Sequence, residues 1–210
     1  MMHTTDDPGS AIDALLGDAE ILASYDHSRA PTAAERIARA AGRELDLISA
    51  QVLNGPEASK LAKLDNSRQI DPEGALVFAC LLYIVGREDG ALFWWQFAAG
   101  SGSSSAATCL SLHHRHNGAF DYADHWREQA DRLRANPPGC DLTPTPTAQH
   151  PLLPDYIAND LLTQCRRGGR PRLPAELEEV IKELVTEYDA DFGGIPKPSP
   201  LLSDVLGACK

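Results

Sequence analysis

The sequence predicts an all-α protein: a short array of antiparallel helical hairpins, with N-terminal capping helices and a proline-rich linker to a C-terminal helical segment. Three observations predict it. Ala75, Gly86, Ala91, Trp94 and Ala98 recur as Ala107, Gly118, Ala123, Trp126 and Ala130, each pair 32 positions apart. Apolar residues elsewhere recur at the three- and four-residue spacing of a helix face. Strand-like alternation is scarce.

The elements follow in order. Ser10 with Asp13 opens a candidate helix carrying Ile12, Leu15, Leu16, Ala19 and Leu22, ending near Tyr25. Thr32 and Glu35 form a capping box before a long amphipathic helix with Ile37, Ala41, Leu45, Ile48 and Val52 on one face, stopped by Asn54, Gly55 and Pro56. A short helix is expected over 57–64, and Asp71-Pro72 is a further start signal, since proline at the first helical position lacks only a donor that had no partner. Within the repeat, alanines let helix axes approach to about 8–10 Å. Gly86 and Gly118 close the first helix of each copy, where a left-handed residue satisfies free carbonyls. The stretch 136–154 is rich in proline and threonine and reads as an extended linker or strap. Asp155 is expected to cap a helix through Cys165, Pro174 to open one running to about Tyr188, and Asp204 to Leu206 to make a last turn. The expected divisions are an N-terminal cap (1–70), two hairpins (71–135), the linker (136–154) and a C-terminal helical segment (155–210).

Ala75-Leu-Val-Phe-Ala-Cys-Leu-Leu-Tyr-Ile-Val-Gly86, followed by Ala91-Leu-Phe-Trp-Trp-Gln-Phe-Ala-Ala-Gly100, resembles the Sel-type subfamily of tetratricopeptide-like repeats, with Tyr83, Trp94, Trp95, Ala98 and Ala99 matching. The second copy departs from it: Arg115 stands in the tyrosine position, Arg127 replaces the second aromatic and Asp131 an alanine. The resemblance covers under a third of the chain and implies a protein-interaction scaffold with no activity attached.

Composition narrows the function classes. A chain of 210 residues with 43% hydrophobic content buries a sizeable core, and a net charge of −11 offers no general attraction to phosphate backbones or anionic membranes. The longest apolar run, Ala75 to Val85, would span about 16 Å as a helix against about 30 Å of hydrocarbon, so it reads as a buried helix. The first residues, with Asp6 and Asp7, do not resemble a secretory signal. Five dispersed cysteines, Cys80, Cys109, Cys140, Cys165 and Cys209, without a Cys-x-x-Cys pair, fit a reducing cytoplasm.

Four features carry chemistry beyond packing. Phe93, Trp94, Trp95 and Phe97 occupy one helix at about 100° per residue, so at least one must reach a second interface. With Tyr83 they are the candidate partner-binding residues. Cys109 and His113 share a helix face, with His125 in the next helix, which is metal-pair spacing without a fourth ligand; adjacent His113 and His114 face different ways, and no metal or other cofactor is expected. Arg166, Arg167, Arg170 and Arg172 lie in a basic loop whose Gly169-Arg170-Pro171-Arg172 core is similar to the minor-groove hook of architectural DNA-binding proteins, although Glu176, Glu178 and Glu179 follow closely. Ala34 to Ala41 has the look of the first helix of a DNA-reading helix-turn-helix, with no recognition helix after it.

No phosphate loop, nucleophile elbow or His-Glu-x-x-His occurs, and the Gly100-Ser-Gly-Ser-Ser-Ser105 run lacks the lysine of a phosphate cradle. The expectation is a non-enzymatic cytoplasmic adaptor or regulatory protein that binds a protein or peptide partner through its repeat surface. A regulator touching DNA or the transcription machinery through 166–172 is the alternative, and a metal-binding protein a more distant one.

Overall fold

Residues 30–64, 71–136, 152–190, 193–199, 202, 205 and 206 are described by a computed structural model. The candidate helix from Ser10 to Tyr25, nearly all of the 136–154 stretch, Cys140 and Cys209 lie outside them. The described residues up to Arg36 and those from Ile37 onward fall into two units. In the first, the backbone N–H of Thr32 donates to Glu35 Oε2 at 2.7 Å and that of Glu35 to Thr32 Oγ1 at 3.2 Å, the reciprocal capping box that starts a helix.

The described residues hold seven α-helices and one β-hairpin. Helix α1 is Ala33–Asn54, followed by a 3-10 turn at Pro56–Lys63; α2 is Pro72–Ile84, α3 Glu88–Gly100, α4 Ser104–His116 and α5 Phe120–Ala135. Asp71 caps α2 by accepting from the Glu73 N–H at 2.9 Å, and Ser103 caps α4 by accepting from the Ala106 N–H at 3.3 Å. From Gly74 to Ile84 every residue of α2 is buried, which accounts for its unbroken apolar sequence: it has no face toward water. The 3-10 turn lies so close to it that a methyl on Gly74 would stand 2.8 Å from the Lys60 carbonyl oxygen.

Helices α2/α3 and α4/α5 are antiparallel neighbours, and the 32-residue register survives at atomic detail. The repeated alanines Ala75, Ala91, Ala98, Ala107, Ala123 and Ala130 are all buried. Gly86 has φ +81° and Gly118 φ +75°. In the first turn the N–H of Gly86 bonds the Tyr83 carbonyl and that of Arg87 the Leu82 carbonyl; in the second, Gly118 bonds Arg115 and Ala119 bonds His114. The two glycines therefore perform the same left-handed helix stop, the conformation that a Cβ penalises.

The C-terminal part departs from expectation in three ways. Helix α6 is Asp155–Arg166, with Pro154 in the capping position and Asp155 already inside the helix. Helix α7, Ala175–Lys182, stops six residues before Tyr188. Strands β1, Thr186–Asp189, and β2, Gly193–Pro196, then form an antiparallel pair. At this helix end the Arg87 guanidinium donates to the carbonyls of Ile181, Lys182 and Leu184 at 3.3, 3.4 and 3.4 Å and to Thr186 Oγ1 at 2.7 Å. It bonds carbonyls at and just beyond the end of α7, where a helix terminus leaves acceptors without intrahelical partners.

The C-terminal segment folds back. Leu153, Leu161, Leu177, Ile181, Leu202 and Leu206 share one apolar cluster with Leu45, Leu53 and residues Ala75 to Ile84 of α2. Their burial contributes about 1.5–3 kcal/mol for each large side chain, offset by chain entropy.

Candidate functional site

The aromatic residues of α3 meet three different environments. Trp95 is fully buried, tilted against Tyr83 and His113 with ring centroids 5.5 and 6.0 Å away. It fills the seam between the hairpins. Trp94 stands edge-on to Phe78, Phe93 and Phe97 at 5.3, 5.5 and 5.8 Å. Its Nε1 donates to the Pro196 carbonyl at 2.9 Å, so the second interface that four crowded aromatics demanded is the chain's own β2. Phe93 and Phe97 stay half-buried beside it. The contact needs a glycine: a Cβ on Gly90, one turn earlier, would fall 2.6 Å from Pro196 Cγ.

Tyr83 is buried and donates its hydroxyl to Asp46 Oδ1 at 2.9 Å, tying α2 to α1. Burial raises the Asp46 carboxyl above the usual carboxylate range even though the Tyr83 hydrogen bond and Arg170 oppose it. Burial, with Asp46 beside it, lifts Tyr83 far above the ordinary phenol value, so the proton stays on the phenol. The Arg170 guanidinium lies 5.4 Å over the Tyr83 ring and pairs with Glu88 at 2.9 Å. Burial acts to lower the Arg170 pKa, and Glu88, Tyr83 and Asp46 together outweigh it.

The second hairpin repeats the framework and changes the surface. Trp126 keeps the position of Trp94 and is half-buried, with no hydrogen bond to its indole N–H among the described residues. On the same helix Tyr122, one turn before it, is 65% and Phe120 40% exposed, and Tyr122 stacks on His114 at 5.4 Å. Arg127, in the place of Trp95, points to solvent and pairs with Asp124 at 3.2 Å; Arg115, in the place of Tyr83, pairs with the same carboxylate at 3.3 Å. These charges stand where a third hairpin would have to pack. Tyr122 and Phe120 went unnominated in the sequence, although the retained Trp126 marked the place.

Cys109 and His113 do share one face of α4, in the core. The Cys109 thiol is pushed well up by its hydrogen bond to Cys80 and by burial. The Asn117 side-chain amide donates to His113 Nε2 at 3.1 Å, while the buried Nδ1 has no partner among the described residues. Burial, then His114, draws its pKa below the usual imidazole value. His125 is exposed on α5. Among the described residues no group of three or more His, Cys, Asp or Glu could hold a metal ion.

The basic loop is pinned to the fold. Gln164 accepts from the Arg172 N–H at 2.8 Å and donates to the Arg172 carbonyl at 3.2 Å, Pro171 is buried, and Arg170 is engaged as above. Arg166, Arg167 and Arg172 point to solvent. An extended Arg-Pro-Arg hook would require these contacts to break. No helix among the described residues is long and apolar enough to cross a membrane.

No protein-family model matches the chain, and neither does any curated protein or solved structure.

Proposed function

We propose that this protein is a non-enzymatic adaptor or regulatory protein of tetratricopeptide-like build, holding a protein or peptide partner on the surface of its helical hairpins. One observation carries the reading. Trp94 receives an extended segment, Pro196 seated by its carbonyl on the indole N–H, whereas Trp126, one repeat later, has the same helix position and no such hydrogen bond among the described residues. The surface that α3 fills in cis is the surface that α5 offers to a partner.

The chemistry of the patch supports this. Tyrosine and tryptophan bring large contact area at low entropic cost and dominate interface energetics, each about 2 kcal/mol or more where central. Salt-bridged side chains of α5, Arg132 with Glu128 and Arg134 with Asp131, form a polar rim. Free thiols at Cys80, Cys109 and Cys165 accord with a reducing cytoplasm.

The test is comparative. Wild type, Trp126→Ala and a rim control, Glu128→Gln, are purified from source cells and the co-purifying proteins quantified by mass spectrometry. A partner kept by wild type and the control and lost by Trp126→Ala, at equal thermal stability, is the expected result. The same set on all three proteins, or none on any, contradicts the proposal.

A further inference from the structure

Trp94 and Trp126, one repeat apart, hold the same attitude on their helices. Phe93 stands edge-on to Trp94 at 5.5 Å and 88°, and His125, in the place of Phe93, stands edge-on to Trp126 at 5.5 Å and 80°. Both indoles pack on the one apolar cluster. The N–H of Trp94 is held by the Pro196 carbonyl, that of Trp126 by no acceptor among the described residues. The segment seated on Trp94 reads Ile195-Pro196-Lys197-Pro198, with proline at alternate positions.

The neighbours of the second indole differ in one decisive place. Pro196 sits over Gly90, and Tyr122 stands where Gly90 would recur. Its ring lies on His114, 5.4 Å between centroids and 28° between planes, and is 65% exposed. Helix α3 therefore takes a ring into a gap, whereas α5 presents a ring face on which another can lie. Tyr122, Trp126, Gln129 and Leu133 follow at helical spacing and form one stripe about 16 Å long. The last three are half-buried.

The stripe selects among extended and helical occupants. The backbone groups of α5 bond within the helix, so it has no edge for a partner strand to join. A helical partner would also use its carbonyls internally and leave the Trp126 N–H to chance side chains. A polyproline helix has no internal hydrogen bonds, so its carbonyls are free, and at about 3.1 Å per residue about five residues cover the stripe. Its rings dock on aromatic side chains.

We propose that α5 seats a proline-rich segment of the partner protein in the polyproline conformation, with one of its carbonyls on Trp126 Nε1 and a proline ring on the outer face of Tyr122. This rests on the partner-binding reading of α5 and names the chemistry of what binds there.

The chain has three tryptophans, so nitrogen-15 labelling of the indoles gives one N–H signal each for Trp94, Trp95 and Trp126. Trp126→Phe assigns the last. The probes, added to the full chain, are a capped decamer of proline and a capped decamer of alternating glycine and serine, which has free carbonyls but neither rings nor a preset conformation. The proline decamer should move the Trp126 signal saturably, half-saturating at about 1 mM or below, and leave those of Trp94 and buried Trp95 in place. Tyr122→Ala, at an exposed position, should weaken this about tenfold. The glycine-serine decamer should move nothing. No movement of the Trp126 signal with the proline decamer at about 5 mM, equal movement with the two decamers, movement of the Trp94 signal instead, or undiminished binding by Tyr122→Ala overturns the inference. The partner-binding reading fails separately, when no protein co-purifies in a Trp126-dependent way.

Discussion

Trp94 and Pro196 lie 102 residues apart in sequence and are joined by a 2.9 Å hydrogen bond from indole N–H to backbone carbonyl. The bond closes the C-terminal hairpin onto α3, and Trp126, 32 residues after Trp94, makes no such bond among the described residues.

Gly90 makes that closure possible. Gly90→Ala puts a methyl 2.6 Å from Pro196 Cγ, where Gly100→Ala meets nothing within 4 Å. Alanine in a helix gains about 0.5–1 kcal/mol over glycine, and overpacking costs about 1–3 kcal/mol. Urea unfolding should show Gly90→Ala destabilised with altered Trp fluorescence, and Gly100→Ala stabilised or neutral.

The helix stops allow a second check. With φ +81° at Gly86 and +75° at Gly118, alanine at either should cost about 1–2 kcal/mol, similar at both because the turns are equivalent. Unequal losses by chemical denaturation would deny that equivalence.

Much of this architecture is legible in the sequence because the repeat is carried by residues whose size is dictated locally. The buried alanines and the left-handed glycines admit few substitutes, so their 32-residue spacing is readable directly. The end of α7 is not: Leu177, Ile181 and Leu184 keep helical spacing, and the carbonyls where the chain turns bond Arg87, nearly a hundred residues earlier. Strand β1 is four residues long and exposed at most of its positions, which leaves no alternation to detect. At the candidate site, the crowding of Phe93 to Phe97 announced an extra interface, but which segment covers it depends on a contact far along the chain.

Asp46 gives stability a pH dependence of known sign. Its folded-state pKa is raised above 3.8, so its contribution is fully present below that value and is lost as pH rises through the folded-state pKa. Asp46→Asn should remove this downward slope while still accepting from Tyr83. Tyr83→Phe should cost about 1–3 kcal/mol by leaving a buried acceptor unmatched. Denaturation midpoints from pH 4 upward are the measurement.

His113 acts in the opposite direction. Its folded pKa lies below 6.5, so its contribution is fully present above pH 6.5 and is lost as pH falls toward the folded value. His113→Gln should flatten the acid side of the stability profile. A profile unchanged by the substitution would assign the slope to other groups.

Site-specific photocrosslinking tests the central claim most directly. A benzoylphenylalanine in place of Tyr122, beside Trp126, should yield one dominant crosslinked polypeptide in source cells, lost on adding Trp126→Ala, while the same label at Glu128 yields none. Equal products from both positions, or no product at Tyr122 in a folded protein, would contradict a partner-binding surface on α5.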